Sequence, residues 1–204
     1  MEDRYKTLRS PAVAEIIIKK SRFIASASPI DNEEEALHFI GQVKKMHSQA
    51  NHNVFAYVIN ERMQRFSDDG EPSGTAGRPV LDVIHRKGLV KAVIVVTRYF
   101  GRILLGAGGL VRAYSEAAVK GIETAGEVEM LLYQELNMIL DYHWLSIVKR
   151  EAQTSGGRNI TMEFGRTVDL KVFLRPGDLN ALSKKLNDIT AGQVIIEAGD
   201  FSYI

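Results

Sequence analysis

The stretch best equipped for chemistry is Thr97-Arg98-Tyr99-Phe100-Gly101-Arg102-Ile103-Leu104-Leu105-Gly106-Ala107-Gly108-Gly109-Leu110-Val111-Arg112. An apolar run precedes it and a helical pattern follows. The peptide N–H groups around Gly106, Gly108 and Gly109 therefore stand, without Cβ obstruction, at the positive end of a helix dipole, a geometry that binds anions. Arg98, Arg102 and Arg112 flank it, and the planar guanidinium fork suits phosphate oxygens. Tyr99 and Phe100 offer rings on which a base can stack. Two nucleotide-binding patterns fail: there is no Gly-x-x-x-x-Gly-Lys-Ser/Thr, and Gly106-x-Gly108-x-x-Val111 lacks the third glycine of the dinucleotide fingerprint. The competing reading is that these glycines only permit tight turns and close packing of helix on sheet.

A second stretch, Asp68-Asp69-Gly70-Glu71-Pro72-Ser73-Gly74-Thr75-Ala76-Gly77, packs three carboxylates, two hydroxyls and three glycines into ten residues. Ser73, Gly74 and Thr75 can cap the following helix or hold a phosphate. Asp68, Asp69 and Glu71 can hold Mg²⁺ or accept from base and ribose groups. A capped acidic turn with no ligand accounts for the same composition. Elsewhere the signals are weak. His47 and His52 are five apart, no His-Glu-x-x-His or Gly-x-Ser-x-Gly occurs, and no confident metal site emerges. Met46, Met63, Met130, Met138 and Met162 read as core positions, and Trp144 as the anchor of a second core.

These residues need elements to place them. Val13 to Ile18 and Phe23 to Ala27 read as a hairpin, and an acidic first turn at Glu33 to Glu35 opens a helix running to about His47. Val54 to Ile59 is a strand, the acidic stretch is a loop feeding a helix, and Lys91 to Thr97 is a strand buried on both faces. A helix with a small-residue face follows the glycine loop, with Gly121 as its expected stop. From about residue 131 the pattern becomes strand, helix, two strands around Gly165, a helix capped by Asp178, and a final strand at Gln193 to Glu197. That order is βαββαβ, the ferredoxin-like unit. The expectation is an α+β chain of two domains, residues 1–130 and 131–204.

Composition narrows the rest. The 204 residues carry 26 Lys plus Arg against 25 Asp plus Glu, so bulk charge names no partner, although residues 61–112 hold nine basic against five acidic side chains. The absence of cysteine excludes disulfides, thiolate zinc, iron-sulfur clusters and a cysteine nucleophile. No signal-peptide core or membrane-length apolar run is visible, and a cytoplasmic protein without membrane contact is expected.

Lys20-Ser21-Arg22-Phe23-Ile24-Ala25, the run Asp68 to Gly77 with Pro79, Thr97 to Gly101, and Leu105 to Tyr114 together resemble the YigZ/IMPACT family. The likeness covers roughly residues 15 to 125, and the remainder is similar to the ferredoxin-like C-terminal domain of bacterial members and to domain five of elongation factor G. The resemblance implies a first domain like ribosomal protein S5 domain 2, translational control in eukaryotic members, and nucleic-acid binding in bacterial ones. Three departures matter. Gly101-Arg102 stands where many members have Gly-Gly, His52-Asn53-Val54 lacks a common cysteine, and no RWD domain precedes residue 15, so the eukaryotic partner arrangement is not carried over. The favoured expectation is a translation-associated regulator whose Gly/Arg loop grips RNA or a ribosome-associated target, with no cofactor unless Mg²⁺. An enzyme acting on a phosphorylated small molecule and a protein-interaction module are the alternatives.

Overall fold

The computed structural model describes residues 2–204. The chain divides into two compact units, Tyr5–Glu129 on the one hand and the residues up to Arg4 with Met130–Ile204 on the other. Both are α+β.

In the first unit, Ala12–Ile18 (β2) and Ser21–Pro29 (β3) form the expected hairpin, after an unforeseen strand at Arg4–Leu8 (β1). The two-residue turn puts Lys19 and Lys20 at φ of 45° and 64°, as the right-handed strand twist demands, though side chains dislike that region. Glu33–Met46 (α1) begins at Asn32, whose Oδ1 accepts from the Glu35 N–H while Glu35 Oε2 accepts from the Asp31 N–H, a reciprocal cap. His52–Asn60 (β4), Met63–Ser67 (β5), Gly77–Arg86 (α2), Ala92–Tyr99 (β6) and Ala107–Ala125 (α3) complete it. The sheet order is β2-β3-β6-β4-β5, antiparallel throughout. β6 is central, which explains its unbroken apolar sequence. Ala92, Ile94 and Val96 join the core built with α2 and α3, while Val93 and Val95 join the one under α1. This is the arrangement of ribosomal protein S5 domain 2.

The second unit contains most of Glu127–Leu140 (β7), a single 3₁₀ turn at Tyr142–Trp144, Leu145–Thr154 (α4), Arg158–Phe164 (β8), Val168–Leu174 (β9), Pro176–Thr190 (α5) and Ile195–Tyr203 (β10). β10 pairs β7, β7 pairs β9 and β9 pairs β8, all antiparallel. That is the ferredoxin-like order. Alternate residues of β7 and β9 pack with Val148, Leu182 and Leu186 from the helices. No described helix is long and apolar enough to cross a membrane.

Several local expectations need correction. α3 does not stop at Gly121 but runs to Ala125, where Gly126 at φ 72° ends it. Gly121 is there for packing: a Cβ on it would lie 2.9 Å from that of Ala25 on β3. α5 starts from Arg175 with Pro176 in its first turn, and Asp178 lies inside the helix rather than capping it. β10 begins at Ile195 and extends to Tyr203. Met138 is buried, but Met46 and Met63 are 76% and 42% exposed, while Trp144, half-buried, does pack against the second core.

One contact couples the β2–β3 turn to the glycine loop. A Cβ on Gly101 would fall 2.0 Å from the Lys20 carbonyl carbon, so backbone must move to admit it. Gly101→Ala should therefore lower unfolding free energy by about 3 kcal/mol in urea titrations. Gly41→Ala, within α1 and with nothing inside 4 Å of the new methyl, should raise it by about 0.5–1 kcal/mol. Equal effects would contradict the packing described.

Candidate functional site

The acidic loop sends its three carboxylates to three different tasks. Asp68 caps α2 from outside: Oδ1 accepts from the Ala76 and Gly77 N–H groups at 3.1 and 2.8 Å, and Oδ2 from the Gly74 N–H at 2.8 Å. Asp69 pins the loop to the sheet, taking the Asn53 N–H at 2.6 Å and the Lys44 ammonium at 2.9 Å. Burial pushes its carboxyl pKa up, but the Lys44 hydrogen bond and the Asn53 N–H together outweigh that and hold it below 3.8. Asp69 and Gly70 both have positive φ, 44° and 87°, and this reversal swings Glu71 inward.

Glu71 is buried, and its Oε1 accepts from Arg98 Nη1 and from the Tyr114 hydroxyl, each at 2.6 Å. Arg98 is the penultimate residue of β6 and 5% exposed. Its guanidinium carbon lies 5.5 Å from the Phe23 ring centre and 5.3 Å from that of Phe100, within cation–π range of both. Even so, Arg98 Nε is buried without any hydrogen-bond partner. Burial, then the Glu71 hydrogen bond and charge, push the Tyr114 phenol pKa well above its usual range, so it remains a neutral donor. His52 Nε2 stands 3.8 Å from Glu71 Oε1. Its Nδ1 lies 2.9 Å from the Asp69 carbonyl oxygen; that oxygen only accepts, so Nδ1 carries a proton and donates to it.

A cavity of about 380 Å³ opens over this cluster. Glu71, His52 and Arg98 contribute polar surface, Phe100, Leu105 and Leu110 apolar surface, and Gly106 and Ala107 place the start of α3 on it. Gly106, at φ 74°, offers no side-chain cap, and the first intrahelical bond runs from the Leu110 N–H to the Gly106 carbonyl. The Ala107, Gly108 and Gly109 N–H groups thus lie ahead of the helical ladder, at the positive end of a 19-residue helix. A larger cavity, about 520 Å³, lies along α1 beside Asn32, His38 and Gln42. Its polar groups bond one another, as His38 does Gln42 at 2.9 Å, and its lining includes no buried charge.

The sequence candidates are thus brought together unevenly. Arg98, Phe100, Gly106 and Glu71 share the cavity. Arg102 and Arg112 are exposed, with Arg112 Nη1 3.8 Å from where a Gly108 Cβ would be. Tyr99 turns elsewhere, its hydroxyl 3.0 Å from His47 Nδ1 and its ring under Arg22. Ser73 is exposed, the Gly74 N–H is taken by Asp68, and the Thr75 hydroxyl donates to the Pro72 carbonyl at 2.6 Å. Among the described residues no three His, Asp or Glu side chains converge as metal ligands would. His52 and Tyr114 were not legible as site residues. Tyr114 is four residues after Leu110 and so shares its helix face, a signal that acquires meaning only once Glu71 is known to lie opposite.

Comparison with known proteins bears on the whole chain. Residues 19–122 match the profile described as Impact N-terminal domain, and residues 138–193 match a domain of unknown function, DUF1949. The chain is 39% identical to the IMPACT family member YvyE of Bacillus subtilis (strain 168), covering 98% of this chain and 93% of that one. It is 34% identical to YigZ of Escherichia coli (strain K12), covering 87% and 89%. Protein IMPACT of Rattus norvegicus is 35% identical over 46% of this chain and 31% of its own length. A crystal structure described as that of a hypothetical protein superposes with a TM-score of 0.64 at 31% identity, covering 98% of this chain and 99% of that one.

Removing the Tyr114 hydroxyl leaves Glu71 with one donor fewer in a buried setting. Tyr114→Phe should cost about 1–3 kcal/mol in urea unfolding, and a neutral result would contradict the described bond. Because the Asp69 pKa is depressed in the folded state, its contribution is complete above pH 3.8 and is lost as pH falls through the folded value. Lys44→Met, which removes the ammonium, should flatten stability against pH below about pH 4. A slope unchanged from wild type would show that the pairing does not hold the carboxyl down.

Proposed function

Because the chain belongs to the IMPACT family, we propose that it is a translation-associated regulator, acting in the cytoplasm, that binds single-stranded RNA at the start of α3. The observation that carries this reading is the cavity bordered by Gly106 and Ala107, where the first amides of α3 precede the helical ladder and no side chain caps them. The helix start supplies a phosphate seat, and exposed Arg102 and Arg112 supply cationic forks beside it. Phe100, 41% exposed, gives an unstacked base a ring to meet, as single-stranded RNA recognition requires. The likeness of both units to folds found in translation factors supports the same class of partner, as analogy.

Phosphate contacts of this kind release counterions, so affinity should fall steeply with salt. Arg102→Ala and Arg112→Ala lie on the surface and leave the core untouched. Each should weaken binding of a labelled single-stranded RNA and reduce the slope of log K against log salt by about 1. Affinity and slope both unchanged in the double variant would overturn the proposed interface.

A further inference from the structure

The two faces of the second unit's sheet differ in what covers them. One packs on α4 and α5 through Met138, Leu170 and Ile196. On the other, strand register sets two rows: Ile195, Ile139, Asp169 and Glu163 in the first, and Glu197, Asn137, Lys171 and Thr161 in the second. The whole first row is exposed, Ile139 at 41% and Ile195 at 55%. A groove of about 290 Å³ lies here, with Ile139, Thr161, Glu163 and Asp169 in its lining. The first row is split by chemistry, apolar on β10 and β7 and acidic on β9 and β8. Glu163 and Asp169 stand directly opposite one another, and like charges so placed destabilise a sheet. The cations of this face are engaged elsewhere. Lys171 pairs with Glu135 at 3.2 Å, and the Arg158 and Arg175 guanidinium carbons lie 5.7 and 5.6 Å from the Tyr133 ring centre. Among the described residues, the side chains of Glu163, Asp169 and Glu197 have no ion-pair partner.

Unmatched carboxylates beside two exposed isoleucines complement a surface that sets cations beside apolar side chains. Such a face repels phosphate, and a second copy of it would bring acid against acid. Four adjacent strands span about 14 Å and a helix with its side chains about 10–12 Å, so one helix covers both halves of the row. We propose that the open sheet face of the second unit docks a basic amphipathic helix of a protein partner. The apolar stripe of that helix lies on Ile139 and Ile195, and Lys or Arg on its flank reaches Asp169 and Glu163. Apolar anchors then supply the contact area and charge complementarity selects the partner. The like-charge pair finds its counter-ions only in the complex. No residue of the proposed RNA site takes part.

The test uses the full chain and three labelled model helices of about 18 residues, followed by fluorescence anisotropy. One alternates leucine and lysine in amphipathic order, one has the leucines replaced by glutamine, and one has the lysines replaced by glutamate. The leucine–lysine helix should bind about tenfold more tightly than either other, and more weakly as salt rises. A double variant, Glu163→Gln with Asp169→Asn, should bind it about fivefold more weakly, as the loss of two exposed ion pairs allows, while keeping wild-type affinity for single-stranded RNA. The urea midpoint of that variant should equal or exceed that of wild type, because a like-charge pair has been relieved. A lower midpoint would show that the pair serves the fold and would overturn the proposal. In ¹⁵N spectra the bound helix should shift the amides of Asn137, Ile139, Asp169 and Ile195. Equal binding of the three helices, equal binding by variant and wild type, or no binding would each overturn the proposal. So would RNA that shifts these same amides, or self-association of the free chain that the double variant abolishes, since the face would then belong to nucleic acid or to a second copy.

Discussion

A guanidinium and a carboxylate, both almost wholly out of water, meet at 2.6 Å where β6 ends. Desolvating two such charges costs several kcal/mol each, and attraction alone does not reliably offset it. Here the offset is distributed. Tyr114 supplies a further hydrogen bond, and the rings of Phe23 and Phe100 flank the cation. Those partners come from β3, β6, α3 and the loop after β5, so satisfying one ion pair fixes the mutual placement of four segments distant in sequence. Removing either charge strands the other, at a cost of about 3–5 kcal/mol.

The density of acid between residues 68 and 71 has a physical explanation that composition alone does not supply. Helix α2 begins without a side-chain cap of its own, and Asp68 provides one across the loop. Asp69 ties that loop to α1 through Lys44 and to β4 through Asn53. Only then is Glu71 free to turn inward. Two carboxylates thus build the turn and the third lines the cavity.

Much of this was legible beforehand because it is local. The apolar centre of β6, the hairpin around Lys19 and Lys20, and the βαββαβ order follow from periodicity and turn chemistry. β5 was not legible, since Met63, Gln64, Arg65 and Phe66 are all exposed on a sheet edge and show no alternation. Gly121 misled because a glycine that admits a close neighbour looks, in sequence, like one that ends a helix. Arg98, Glu71 and the glycines drew notice through their types, whereas Tyr114 lies 43 residues from the carboxylate it serves. His52 was set aside for lack of metal-ligand spacing, yet it lines the cavity with its ring oriented by a carbonyl 17 residues away.

The proposed function depends on a ligand seating on the first α3 amides, in the cavity that Arg98 also lines. The direct measurement is a ¹⁵N-resolved NMR titration of the whole chain with a short single-stranded RNA, following the backbone amides of Ala107, Gly108 and Gly109 and the Arg98 Nε–H. These signals should shift in concert and saturate at one common affinity. If RNA binds while those four signals stay still and others move, the site lies elsewhere and the account is contradicted.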